Sequence, residues 1–128
     1  MNKNYNNLTI GKLVENAAAN YLLSNGLEIL EKNFSCKLGE IDLIALDQEN
    51  QQLVFVEVRY RKSSLFGTAI DSVNQRKQQK IINSANYYLI KKFGELAINY
   101  RFDIVTANGD INNLNFEWFI GAFNRDDY

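Results

Sequence analysis

Two acids in this chain stand where acids are costly. Asp42 lies in Gly39-Glu40-Ile41-Asp42-Leu43-Ile44-Ala45-Leu46, and Glu57 in Leu53-Val54-Phe55-Val56-Glu57-Val58-Arg59. Both runs are aliphatic and β-branched, the composition of strands, and the polar stretch Asp47-Gln48-Glu49-Asn50-Gln51-Gln52 breaks them into a hairpin. Side chains alternate along a strand, so Asp42 shares a face with Ile44 and Leu46, and Glu57 with Phe55 and Arg59. An unpaired carboxylate on an apolar face is expensive to bury. Two acids on adjacent antiparallel strands can converge, and they then repel unless a cation lies between them. Oxygen donors brought together in this way suit Mg2+ or Mn2+. The plainer alternative is that each acid pairs with a Lys or Arg at the end of the sheet.

The elements that must position this pair follow from the rest of the chain. A helix is expected from Thr9 as N-cap to just before Gly26, with Ile10, Leu13, Val14, Ala17, Ala18, Tyr21 and Leu22 as its apolar arc. Glu15 falls at the margin of that arc beside Gly11, Ala18 and Leu22, small neighbours that let a helix approach a sheet. It is either a solvated glutamate or one aimed at the acidic pair. Leu27 to Cys36 reads as a first strand, with Lys37-Leu38-Gly39 as a turn and Cys36 as a small buried hydrophobe. Arg61 to Thr68 reads as a loop beside the site. A second helix should run from Asp71 or Ser72 to Phe93, stopped by Gly94, with its stripe through Val73, Ile81, Ala85, Tyr88 and Leu89. Lys77 falls on that stripe, where it either snorkels to the rim or points at the acids. Gln75 either binds phosphate or is simply solvated.

Charge is distributed unevenly. The net charge is −1, yet Arg59, Arg61, Lys62, Arg76, Lys77 and Lys80 face only Asp71 within the same segment. A basic surface flanking a carboxylate pair can hold a polyanion against a bound cation. The other reading is an ordinary solvated helix face. Two more strands, Tyr100 to Thr106 and Leu114 to Phe123, are joined by a turn at Asn108-Gly109-Asp110. Phe116, Trp118, Phe119 and Phe123 read as core or as the surface of a homodimer rather than as base-stacking platforms. Asp103 reads as structural, paired with Arg101 or a helix lysine.

Gly-Glu-x-Asp, a hairpin and Glu-x-Arg together resemble the Asp…(Asp/Glu)-x-Lys core of the PD-(D/E)XK nucleases. More narrowly, the chain resembles the YraN-like family (UPF0102), whose fold is similar to that of archaeal Holliday junction resolvases. The likeness rests on Glu15, on Gly39 to Ala45, on Val54 to Arg61 and on Arg101-Phe102-Asp103-Ile104-Val105. It implies a restriction-endonuclease-like mixed sheet flanked by helices, in the order α-β-β-β-α-β-β. It also implies a metal held by Asp42 and Glu57, with the Val58 carbonyl as third oxygen and Glu15 as outer ligand, and with Lys77 near the site. Arg61, Lys62, Gln75, Arg76 and Lys80 would then meet DNA, including branched DNA. Where the pattern has Lys, this chain has Arg59, which binds phosphate well but cannot shed a proton.

The chain has 128 residues, no histidine, no proline and one cysteine. These counts exclude Ser-His-Asp and Cys-His catalysis, histidine zinc sites and an intrachain disulfide. They fit one domain over residues 1–128 in a reducing, cytoplasmic setting, with residues 1–7 and 124–128 frayed. No apolar run has the length of a membrane span. Two functions stand side by side: a metal-dependent nuclease-like hydrolase, and a non-catalytic nucleic-acid-binding or partner-binding module on the same fold.

Overall fold

The computed structural model describes residues 7–63, 70–96 and 98–125. Its order is α1 (Asn7–Ser24), β1 (Leu27–Cys36), β2 (Gly39–Asp47), β3 (Gln52–Arg61), a 3-10 turn at Ile70–Ser72, α2 (Gln75–Phe93), β4 (Tyr100–Asn108) and β5 (Asn115–Phe123). The α/β class and the expected element order are those observed. The five strands form one mixed sheet in the order β1-β2-β3-β4-β5, in which only β3 and β4 are parallel. The long connection carrying α2 makes that parallel step possible.

Helices cover both faces of the sheet. Val14, Ala18 and Leu22 of α1 pack on Leu43, Ala45, Val54, Val56, Val105 and Ala107. On the other face Ile81, Ile82, Ala85 and Leu89 of α2 pack on Ile41, Ile44, Phe55, Phe102 and Ile104. The central strand β3 is accordingly buried without a break from Leu53 to Val58. Glu57 sits inside that run.

Several boundaries differ from the expected ones. α1 begins at Asn7, so Thr9 lies within its first turn and is not its cap. Asp71 and Ser72 form a 3-10 turn, and α2 starts at Gln75 with Asn74 as its cap, whose Oδ1 accepts from Lys77 N at 3.0 Å. Val73, assigned to the helix stripe, is buried just ahead of the helix. Gly94 ends α2 in the left-handed region, at φ 75°. Gly39 is the first residue of β2 and not part of the turn, and Cys36 is half-buried where full burial was expected. β4 runs on to Asn108, so its link to β5 is longer than a tight turn and is tied by Asp110, which accepts from the N–H groups of Asn112 and Asn113. Gly11 has open space around it, so it does not serve close helix–sheet packing. Residues 64–69 lie outside the described residues, and with them most of the expected loop from Arg61 to Thr68.

The β5 aromatics belong to the packing. Phe116 stacks on Tyr21 at 4.9 Å, Phe123 stacks on Phe102 at 4.9 Å, and Trp118 Nε1 donates to Asp103 at 2.9 Å. Asp103 is fully buried and also accepts from Gly121 N and Arg101 Nε. Arg101 in turn reaches Asp47 at 2.7 Å. Asp103 is thus structural, and its ion partner is Arg101.

This network sets two expectations. Asp103→Ala leaves Arg101 and two N–H donors without their buried acceptor and should cost about 3–5 kcal/mol in urea unfolding. Arg101 and Asn50 hold the Asp47 carboxyl down at about 2, so the stability it contributes is complete above its ordinary value of 3.8 and is lost as pH falls through about 2. Asp47→Asn should remove that acid limb from the pH–stability profile.

Candidate metal centre

The site exists because a ladder stops. β2 and β3 pair from Asp47↔Gln52 to Leu43↔Val56, and no pair is formed beyond. β3 continues along β4 as far as Arg61↔Asn108. Where the next β2–β3 pair would stand, the Asp42 side chain takes over, its Oδ2 accepting from Val58 N at 2.8 Å. A carboxylate thus replaces a backbone acceptor, and the two strands diverge around it. The resulting cleft, of about 470 Å3, is lined from both layers: Val14 and Glu15 from α1, Asp42, Glu57, Arg59 and Arg61 from the strands, and Lys77 and Lys80 from α2.

Glycine lets α2 stand this close. A Cβ on Gly39 would lie 3.0 Å from Ser84 Oγ and 3.7 Å from the Lys80 carbonyl, and φ at Gly39 is +148°. A larger residue would be strained and would push against the helix that carries Lys77.

Glu57 is 8% exposed and lies against Asp42, with which it shares a side-chain hydrogen bond. Burial first, and then the Asp42 charge and that hydrogen bond, push its carboxyl up to about 9. The Arg59 guanidinium, 2.5 Å from Glu57 Oε2, and the Lys77 ammonium pull the other way without outweighing burial. Glu15 is also raised, by burial and by Asp42, and is held back by a hydrogen bond from the Asn33 side chain.

The structure therefore brings Asp42, Glu57, Val58, Arg59, Glu15 and Lys77 to one cleft, along with Arg61 and Lys80. Lys62, Gln75 and Arg76 are exposed but do not line it. Among the described residues, no three acid, cysteine or histidine side chains form a cluster that could hold an ion, so Glu15 borders the carboxylate pair without completing a triad. Glu40 and Tyr60 line the cleft and were not singled out from the sequence. Tyr60 donates to the Gly109 carbonyl at 2.8 Å and so ties the β3 end to the β4 end. The positions beside Asp42 and Arg59 were the available signal for both.

Fold and site together define a three-layer α/β domain with paired carboxylates at the diverging ends of two strands. The pattern of "Uncharacterised protein family UPF0102" matches residues 14–107, and the chain belongs to this family. It is 45% identical over 116 residues to a UPF0102 protein of Hahella chejuensis, covering 91% of this chain and 90% of that one. A UPF0102 protein of Clostridium botulinum is 41% identical over 116 residues, covering 91% of this chain and 93% of that one. Among solved structures, a repair endonuclease from Pyrococcus abyssi aligns with a TM-score of 0.42 at 16% identity, over 86% of this chain and 41% of that chain.

The raised Glu57 has a thermodynamic consequence. Its proton is held more tightly in the folded state, so stability is greatest below the ordinary glutamate value of 4.5 and declines as pH rises towards about 9. Glu57→Gln, which keeps the neutral form, should lose that decline. Urea midpoints of both proteins from pH 5 to about 9 are the check.

Proposed function

We propose that this protein is a metal-dependent nuclease-like hydrolase acting on DNA phosphodiesters, branched DNA included. The observation that carries the reading is the contact between Asp42 and Glu57 at the point where β2 and β3 part, where burial and Asp42 push the Glu57 carboxyl up. A divalent cation between two such carboxyls would displace the proton that the pair otherwise shares. The pair's oxygen donors, with the Val58 carbonyl beside them, fit magnesium or manganese. When bound, such an ion supplies Lewis-acid charge at the phosphate and lowers the pKa of water.

The chain's own residues do the rest. Asp42 and Glu57 hold the positive centre. Arg59, 26% exposed in its side chain, can leave Glu57 and fork onto a phosphate. Lys77 supplies a second cation, and Glu15 orders water at the α1 side of the cleft. Arg61 and Lys80 on the rim, with Lys62, Gln75 and Arg76 outside it, meet neighbouring phosphates.

One observation favours the second reading, a nucleic-acid-binding or partner-binding module. Arg59 already pairs with Glu57, as it would if it permanently replaced a cation. Calorimetry separates the two. Magnesium binding to the pair should release protons at pH 7–8, whereas a site closed by Arg59 should bind no magnesium. On linear, flapped and four-way DNAs with magnesium or manganese, Arg59→Lys should preserve or raise cleavage. Arg59→Ala should cost on the order of 3 kcal/mol of transition-state stabilisation. Absence of cleavage on every substrate, with no magnesium uptake, would leave the module.

DNA affinity should fall with salt by a log–log slope near −0.9 for each phosphate neutralised. Replacing two of Arg61, Lys62, Arg76 and Lys80 with Ala should flatten that slope. Binding indifferent to salt would remove this surface from the reading.

A further inference from the structure

α2 carries Arg76, Lys77, Lys80, Lys91 and Lys92 and no acid along its whole length. At 100° per residue, Arg76, Lys80, Tyr87 and Lys91 fall on one stripe within about 60° of arc, and all four are exposed. From Arg76 to Lys91 the stripe runs about 22 Å at the rise of an α-helix. One end meets the acidic cleft, which Lys80 lines. The other end borders a groove of about 310 Å3 between α2 and β1, lined by Glu31, Phe34, Tyr88, Lys91 and Lys92.

The groove combines rings and charges. Phe34 meets Tyr88 edge-on at 5.1 Å and Tyr87 at 6.4 Å, and Lys91 Nζ stands 5.7 Å from the Tyr87 ring centre. Glu31 accepts from the buried Tyr88 hydroxyl at the groove wall. Lys91 and Lys92 also suit the negative end of the helix, so their charge alone assigns nothing. Tyr87 is different: its ring is 40% exposed, beside Phe34 and between the cations of one stripe. Flat rings interleaved with cations match a chain whose bases and phosphates alternate. The carboxylate of Glu31 adds an acceptor for a base N–H and disfavours an acidic peptide.

We propose that the α2 stripe and its groove with β1 form a track for an unpaired nucleic-acid strand leaving the cleft. Lys80, Lys91 and Lys92 take the phosphates, and Tyr87 with Phe34 stacks a base. The inference rests on the nucleic-acid reading of the cleft and extends it to single-stranded flanks.

The test is fluorescence anisotropy of the full chain with labelled oligothymidylates of about 4 to 16 nucleotides, in EDTA so that no strand is cut. Wild-type affinity should rise with length until the strand spans the stripe. Tyr87→Ala should lose about tenfold on the longest oligonucleotide, with the shortest unchanged, and Tyr87→Phe should restore it. The double variant K91Q/K92Q should likewise lose affinity only for the long strands. Because Tyr87 is exposed, an unchanged melting temperature verifies that the variants are folded. If wild type binds DNA but both variants match it at every length, the track is overturned while the cleft reading stands. If wild type binds no oligonucleotide and no branched DNA, the nucleic-acid reading itself fails and the track fails with it. Preference of the stripe for an acidic peptide such as polyglutamate over oligothymidylate overturns the track in favour of a protein partner.

Discussion

The hydrogen bond from Val58 N to Asp42 Oδ2 is the constraint on which the site depends. A continuing β2–β3 ladder would have consumed that donor with a backbone carbonyl and closed the sheet. Because a side chain takes the donor instead, β2 parts from β3 after Leu43↔Val56 and a cleft opens. The divergence lets α1 on one face and α2 on the other contribute to the same space. It also leaves Glu57 inside the buried run of β3, next to a second carboxylate and short of water. Position, burial and electrostatics of the pair all follow from one replaced acceptor.

Most of the remaining structure holds that divergence in place. Strand β3, buried from Leu53 to Val58, is fixed by packing on both faces and by its parallel ladder with β4. Tyr60 secures its far end to Gly109. At the opposite end of the sheet, Arg101 between Asp47 and Asp103 joins the β2–β3 connection to β4, while Trp118 and Gly121 bring in β5. Charges at that end are neutralised by partners within the chain. Each end has two acids and one arginine, but Asp47 and Asp103 accept from several further donors, whereas at the cleft Asp42 and Glu57 lie against each other. That contrast is why the proposed function is placed at the cleft and not at the Arg101 network.

How much was legible beforehand depended on the kind of signal. Strands β1, β2 and β3 and the end of α2 at Gly94 could be read locally, because turn residues and aliphatic runs act over a few positions. The start of α2 could not be fixed, since Asp71, Ser72 and Asn74 are all competent caps and the folded chain enters the helix from Asn74. Gly39 read as a turn residue. Its stronger constraint is the approach of Ser84 and Lys80, which lie far off in sequence. Lys77 was ambiguous between rim and site for the same reason, because its orientation depends on how closely α2 can approach β2.

The sequence by itself determined the order of elements, the two acids on apolar strands, the substitution of Arg59 for lysine and the concentration of positive charge from Arg59 to Lys80. These are properties of residue type and short-range spacing. Tertiary structure alone decided that β2 and β3 part beside Asp42, that Glu57 is buried with its carboxyl pushed up, and that Arg59 turns back onto Glu57. It also decided that Asp103 is enclosed by Arg101, Trp118 and Gly121. Each of these depends on which distant groups share a low-dielectric space. Burial and Coulomb interactions act through space, and the spacing of residues along the chain does not encode that distance.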